Sequence, residues 1–257
     1  MTRLCREKLR PLLENNFAAL EGKSPHPGLL LARGMADYPE GAGAGEAKAA
    51  FIRALSQLEA SPFYEAAFER WERITRNDTR FATLEAPLQG RLTIGVVRDN
   101  PLETGLTTAH AYGMPLIPGS AVKGLCRAAA GEWEMPEATR EWIFGREPEY
   151  AIDPGEAGGL VFHDAWWIPE GRPYAPEIVT PHHPGYYGSE GETAATDFDS
   201  PIPAPQIAAR GGFYFAIEGA PEWAAVAVKL LKAALNERGI GGKRSAGYGY
   251  FADGDGR

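Results

Sequence analysis

Residues 221–251, PEWAAVAVKLLKAALNERGIGGKRSAGYGYF, join a strong helical pattern to a glycine-rich segment and then to a short aromatic run. Pro221 suits a first helical turn, where its missing N–H is no loss, and Gly239 suits the left-handed residue that ends a helix, so a helix is expected from Pro221 to Gly239. Five glycines lie in 239–251 beside the adjacent cations Lys243 and Arg244. Glycine weakens a regular element, so this run marks a sharp turn or the close approach of another group. SAGYGYF, 245–251, then reads as a closing strand.

Working upstream, QGRLTIGVV (89–97) alternates Leu92, Ile94 and Val96 with Thr93, Gly95 and Val97, the pattern of a half-buried strand. GSAVKGLCRAAAGEW (119–133) predicts a helix capped by Ser120, with Val122, Leu125, Cys126 and Ala129 inward. GGLVFHDAWWI (158–168) reads as a second strand, and QIAARGGFYFAIEG (206–219) holds a third. The order strand, helix, strand, strand, helix, strand defines an α+β, ferredoxin-like fold, the pattern of RNA-recognition motifs, over residues 81–257. Between the second and third strands, residues 169–205 are rich in Pro, Gly and acidic side chains and form an expected insertion projecting from the sheet.

Residues 1–80 predict a helical region. Leu4, Leu9, Leu12, Leu13, Phe17 and Leu20 recur at near-helical spacing, with Pro11 as a kink. From Glu46 to Arg76, Phe51, Ile52, Leu55 and Leu58 share one face; a second helix starts with Ser61 as cap and Pro62 in its first turn, and Phe63, Ala67, Trp71 and Ile74 continue the apolar side.

Composition bounds the function. The 26 Lys and Arg against 34 Asp and Glu give a net charge of -8, the opposite of a protein that grips nucleic acid unaided. A local basic face survives this balance, because charges beyond about 10 Å are screened. Two cysteines, Cys5 and Cys126, share no ligand spacing, which argues against a zinc knuckle or a disulfide framework and for a reducing, cytoplasmic setting. No apolar run reaches the ~18 residues of a membrane span, and the first residues lack the apolar core of a signal peptide.

Two segments together carry a resemblance: LETGLTTAHAYGMPLIPGSAVKGLCR (102–127), with IPGSAVKGLCR at its core, and GIGGKRSAGYGYF (239–251). The pair resembles the RAMP superfamily of CRISPR RNA-guided complexes. GGLVFHDAWW, EIVTPHHPGYY and DFDSPIPAPQIA narrow the likeness to the sixth-subunit family of the type III-B, or Cmr, effector complexes, over about residues 29–251. That resemblance implies an RNA-recognition-like fold, a subunit near one end of the complex holding the 3′ side of the guide RNA and its target duplex, and contacts with other Cmr subunits.

The residues admit this role in physical terms. Gly119 and Ser120 open a helix whose first turn exposes N–H groups, and Lys123 and Arg127 lie one turn apart on a single face able to neutralise successive phosphates. A capped surface helix with two solvated cations is the alternative. In the glycine-rich loop, Gly241, Gly242, Lys243, Arg244, Ser245 and Gly247 can cradle an anion, and Tyr248 can stack a base. His110 adds a candidate RNA contact. Asp164 is expected to be structural and His163 a strand residue with a satisfied ring; His182, His183, Tyr186 and Tyr187 suit stacking or packing better than metal binding. No cofactor or metal is expected. The rival function is a RAMP endoribonuclease using Asp99 or His110, and a third possibility is a cap that touches protein only; a non-catalytic RNA-binding subunit is the leading expectation.

Overall fold

The computed structural model describes residues 5–20, 25–41, 43–95, 104–148, 150, 153–180, 188–189, 192–194, 196 and 203–253. Asp99, His182, His183, Tyr186 and Tyr187 lie outside them. The chain runs through helices α1 (Arg10–Phe17), α2 (Pro27–Arg33), α3 (Ala44–Leu55) and α4 (Pro62–Asn77) to strand β1 (Phe81–Pro87). Next come β2 (Leu116–Ile117), α5 (Gly119–Glu132), α6 (Glu137–Phe144), β3 (Gly145–Arg146) and β4 (Glu156–Ala157). The last stretch holds β5 (Val161–Phe162), β6 (Ala165–Trp167), β7 (Tyr174–Val179), β8 (Ala204–Ala209), β9 (Gly212–Glu218) and α7 (Pro221–Glu237).

β9 is the axis of the sheet because Phe213 to Ile217 are all buried, so both its faces are covered. β1 flanks it antiparallel on one side, with Phe81 opposite Glu218 and Pro87 opposite Gly212. β5 and β6 share the other side, and β2 continues from β6. On one face Tyr214 meets α4: its ring packs edge-on against Phe68 at 5.8 Å and its hydroxyl bonds Thr75 Oγ1 at 2.6 Å. Phe213 and Phe215 point the opposite way, onto Phe251, whose N–H is donated to Leu235 O of α7. α4 therefore covers one face and α7, packed beside α5, the other. Each fully buried large apolar side chain contributes about 1.5–3 kcal/mol to this core.

Several sequence expectations change. The boundary near residue 80 falls between α4 and β1, yet α4 is a layer of the sheet and its Tyr64 and Phe68 belong to the same core cluster as Leu84 and Tyr214. Ser61 caps α4 as expected, accepting from Tyr64 N at 3.3 Å, but the buried stripe is Tyr64, Ala67, Phe68 and Thr75. Phe63 is 81% exposed and Ile74 49%, whereas Ala67 is buried and Trp71 packs against the core as expected; Tyr64 turns inward in place of Phe63, its hydroxyl satisfied on Trp167 O.

Strand β1 lies at Phe81–Pro87, ahead of 89–97. Val96 and Val97 lie outside the described residues; among the described residues 89–95 the pairing is by isolated bridges, Leu92 with Ala209 and Thr93 with Gly242, and Leu92, Thr93 and Ile94 are all buried, so their alternation does not report a half-buried strand. The expected third strand is two, β8 and β9, broken at Arg210 and Gly211, the latter with φ +96. β7, inside the expected insertion 169–205, pairs with β8, which begins at its far end, from Tyr174–Ala209 to Val179–Ala204, and the two form a two-stranded ribbon. None of the described helices is long and apolar enough to cross a membrane.

Cys126 sits inward on α5, fully buried as its spacing indicates. Burial pushes its thiol up to about 12, so it stays protonated, and the thiolate is the reactive form. In the native protein at pH 8 a thiol reagent should label the half-buried Cys5 alone, and both cysteines once denatured. Rapid native labelling of Cys126 would contradict this packing.

Candidate nucleic-acid interface

The α5 entry is built by a β-bulge. β5 pairs Phe162 with Ile217 and β6 pairs Trp166 with Tyr214, so residues 163–165 stand opposite only 215–216. The extra residue re-aims the strand and turns Asp164 toward α5, where its Oδ1 accepts from Gly119 N at 2.7 Å. Asp164 thus supplies the carboxylate that the helix N-terminus favours. Ser120 is not the cap: it is exposed and makes no side-chain capping bond. Gly119 is buried, and a Cβ there would lie 2.1 Å from Phe162 O. Its close approach is to this strand. Lys123 and Arg127 follow on the helix, and Arg127 Nη1 pairs with Glu147 at 3.1 Å, both exposed.

His163 has the satisfied ring expected, bonding Glu218 Oε2 through Nε2 at 3.1 Å and lying against Trp71 and Phe81. His110 is exposed on the Ala109–Gly113 turn. Its carbonyl accepts from His26 Nε2 at 3.0 Å, while His26 Nδ1 accepts from Leu29 N at 3.0 Å and caps α2. These two bonds place the His26 proton on Nε2.

The glycine-rich segment is neither strand nor loose tail. α7 ends at Glu237, with Gly239 in the expected left-handed conformation at φ +65. Lys243, Gly247 and Gly249 follow at φ +58, +85 and +77, values that a strand excludes, and Arg244–Ala246 form a 3₁₀ turn in place of the expected strand. The segment is sewn to residues 87–93: Gly242 N donates to Thr93 O at 2.7 Å and Thr93 Oγ1 to Gly242 O at 3.0 Å. Gly249 N donates to Arg91 O at 2.7 Å, Gln89 N to Tyr250 O at 2.9 Å, and Ala252 N to Pro87 O at 2.9 Å. Much of the loop's amide hydrogen bonding is therefore spent inside the protein, and its capacity for an anion rests chiefly on side chains.

Lys243, Arg244 and Ser245 are exposed. They border an open cleft of about 510 Å³ with Arg238, Tyr250 and, opposite, Glu132. Glu132 is the last residue of α5 and pairs with Arg238. The loop thus meets the far end of the helix that Gly119 begins; 14 residues of helix span about 20 Å. The two motifs thus lie at opposite ends of α5. Tyr248 is half-buried and hydrogen-bonds Glu177 of β7; partial burial first, then that carboxylate, raise its phenol above the ordinary value. Arg91 Nε stands 3.9 Å from Glu177, completing the link between loop and ribbon. Arg238, Glu132 and Glu177 escape sequence reading, although Arg238 directly precedes the helix-ending glycine. Among the described residues, no group of three or more His, Cys, Asp or Glu could hold a metal ion.

The RAMP superfamily model matches residues 85–252, from β1 to the end of the glycine-rich segment, and the chain belongs to that superfamily. More particularly, it is similar to the CRISPR system Cmr subunit Cmr6 of Pyrococcus furiosus, with 26% identity over 230 residues covering 64% of this chain. The match spans 66% of that relative, just under two thirds of its length. A chain of the cryo-EM structure of the type III-B Cmr-beta bound to cognate target RNA shares the fold, with a TM-score of 0.63 at 20% identity over 95% of this chain and 84% of that one.

Proposed function

We propose that this chain is a non-catalytic RNA-binding and assembly subunit of a type III-B, Cmr-type effector complex, a ferredoxin-like RAMP protein holding the 3′ side of the guide RNA and its target duplex. The observation that carries the reading is Lys243. It adopts φ +58 in a segment where glycine fills other left-handed positions, a conformation costing a non-glycine residue about 1–2 kcal/mol. Strain of this kind gathers at functional sites, and here it presents two adjacent exposed cations beside a cleft. Likeness to a Cmr6 subunit supports the same reading. Base pairing by the guide would supply sequence specificity, while this chain holds backbone and shape. The acidic remainder of the surface would face solvent or neighbouring Cmr subunits.

Replacing Lys243 by Gly tests the role directly. Stability should stay within about 1 kcal/mol of wild type, since relief of the left-handed strain offsets the added freedom of the unfolded chain. Guide retention by the assembled complex should fall. With Lys123→Ala and Arg244→Ala added, the salt dependence of RNA affinity should flatten by about one unit of slope for each phosphate that the variant no longer neutralises. Unchanged guide retention in the triple variant would leave a protein-only cap as the better account. Labelled RNA incubated with the purified chain should remain intact; cleavage abolished by Asp99→Ala or His110→Ala would make it an endoribonuclease.

A further inference from the structure

The cleft beside the glycine-rich loop holds one acidic residue among its cations. Arg238 is the inner cation: its side chain is 22% exposed against 62% for Glu132, and its Nε is enclosed with no hydrogen-bond partner among the described residues. Glu132 meets Nη1 as an ion pair without hydrogen-bond alignment. A guanidinium whose enclosed Nε and Nη1 make no hydrogen bonds favours an anion that can complete them. Glu132 suits the place poorly. It is the last residue of α5, where the helix dipole disfavours a carboxylate, and an ion pair with so exposed a partner contributes little.

We infer that Arg238 is a phosphate-binding residue and that Glu132 is a resident carboxylate which an RNA phosphate displaces. This rests on the RNA-binding reading above. Displacement leaves Arg238, Lys243 and Arg244 around the phosphate, with Ser245 on the same wall. A guanidinium fork matches phosphate geometry, and Glu132 sets a threshold that a weakly held anion does not pass.

The test is a double-mutant cycle on the full-length chain, read by fluorescence anisotropy with a short fluorescein-labelled single-stranded RNA at several salt concentrations. Glu132→Gln keeps the size of the side chain and removes its charge, and should tighten binding several-fold. Arg238→Gln should weaken it roughly tenfold and lower the salt slope by about one. The decisive quantity is the coupling: in the Arg238→Gln background, Glu132→Gln should bring no gain. If the gain persists there, Glu132 acts only by long-range charge and the inference fails. It fails equally if Glu132→Gln binds RNA like wild type or more weakly. Should Arg238→Gln not fold by thermal melting, Arg238→Met takes its place, since it keeps an unbranched side chain, loses the charge, and should likewise erase the gain. Wild-type protein that binds no RNA even at low salt, together with guide retention by the assembled complex that the triple variant leaves unchanged, would overturn the underlying functional reading, a result distinct from binding that ignores these two residues.

Discussion

Gly249→Ala is expected to lower stability by about 3 kcal/mol, combining left-handed strain with overpacking, and to lower the thermal midpoint by roughly 10 °C in a chain of this size. The glycine is at φ +77, and an added Cβ would lie 1.9 Å from Ile240 O. That carbonyl cannot recede easily, because the Ile240 N–H is bonded to Gly249 O at 2.9 Å. Gly247 is the internal control. Its φ of +85 is similar, but nothing stands within 4 Å of its missing Cβ, so alanine there should cost only about 1–2 kcal/mol. Melting curves read by circular dichroism separate the two. Equal losses would mean that conformation alone, and not the seam between Ile240 and Gly249, sets the requirement.

At the other motif, Gly119→Ala should destabilise the fold by about 2 kcal/mol even though alanine is favoured over glycine inside a helix by about 1 kcal/mol. The new methyl group would stand 2.1 Å from Phe162 O, and the shift needed to clear it breaks the bond from Gly119 N to Asp164. Ser120→Ala, one residue on, should change stability by no more than about 0.5 kcal/mol, as expected of an exposed side chain without a capping bond. A neutral Gly119→Ala with a costly Ser120→Ala would restore the serine cap and undo the assignment of Asp164.

These contrasts show where reading the chain as a string succeeds. Pro221 and Gly239 bracket α7 because both act through their own backbone: proline lacks a donor that the first turn does not need, and glycine tolerates the left-handed exit. Ser61 and Pro62 start α4 for the same local reason. The inward residues of α5, Val122, Leu125, Cys126 and Ala129, follow from helical periodicity and are all buried. Local signals fail where the partner is distant. Ser120 has a good capping side chain, but Asp164, brought in by a bulge 45 positions away, holds the amide. The closing aromatics look like a strand, yet their partners on 87–93 accept them only through left-handed glycines.

The candidate site divides in the same way. Lys243, Arg244 and Ser245 are visible in the sequence because glycines surround them, and the short range of that pattern makes it legible. Arg238 and Glu132 stand far apart in the chain and meet only because α5 and α7 pack together. Helix starts and stops, the inward face of α5 and the glycine-bounded cations are thus properties of neighbouring residues, written in propensity and periodicity. Which carboxylate caps α5, which carbonyls forbid a side chain at Gly119 and Gly249, and which acid guards Arg238 depend on contacts between distant segments. Spacing along a sequence holds no record of those contacts until the core has packed.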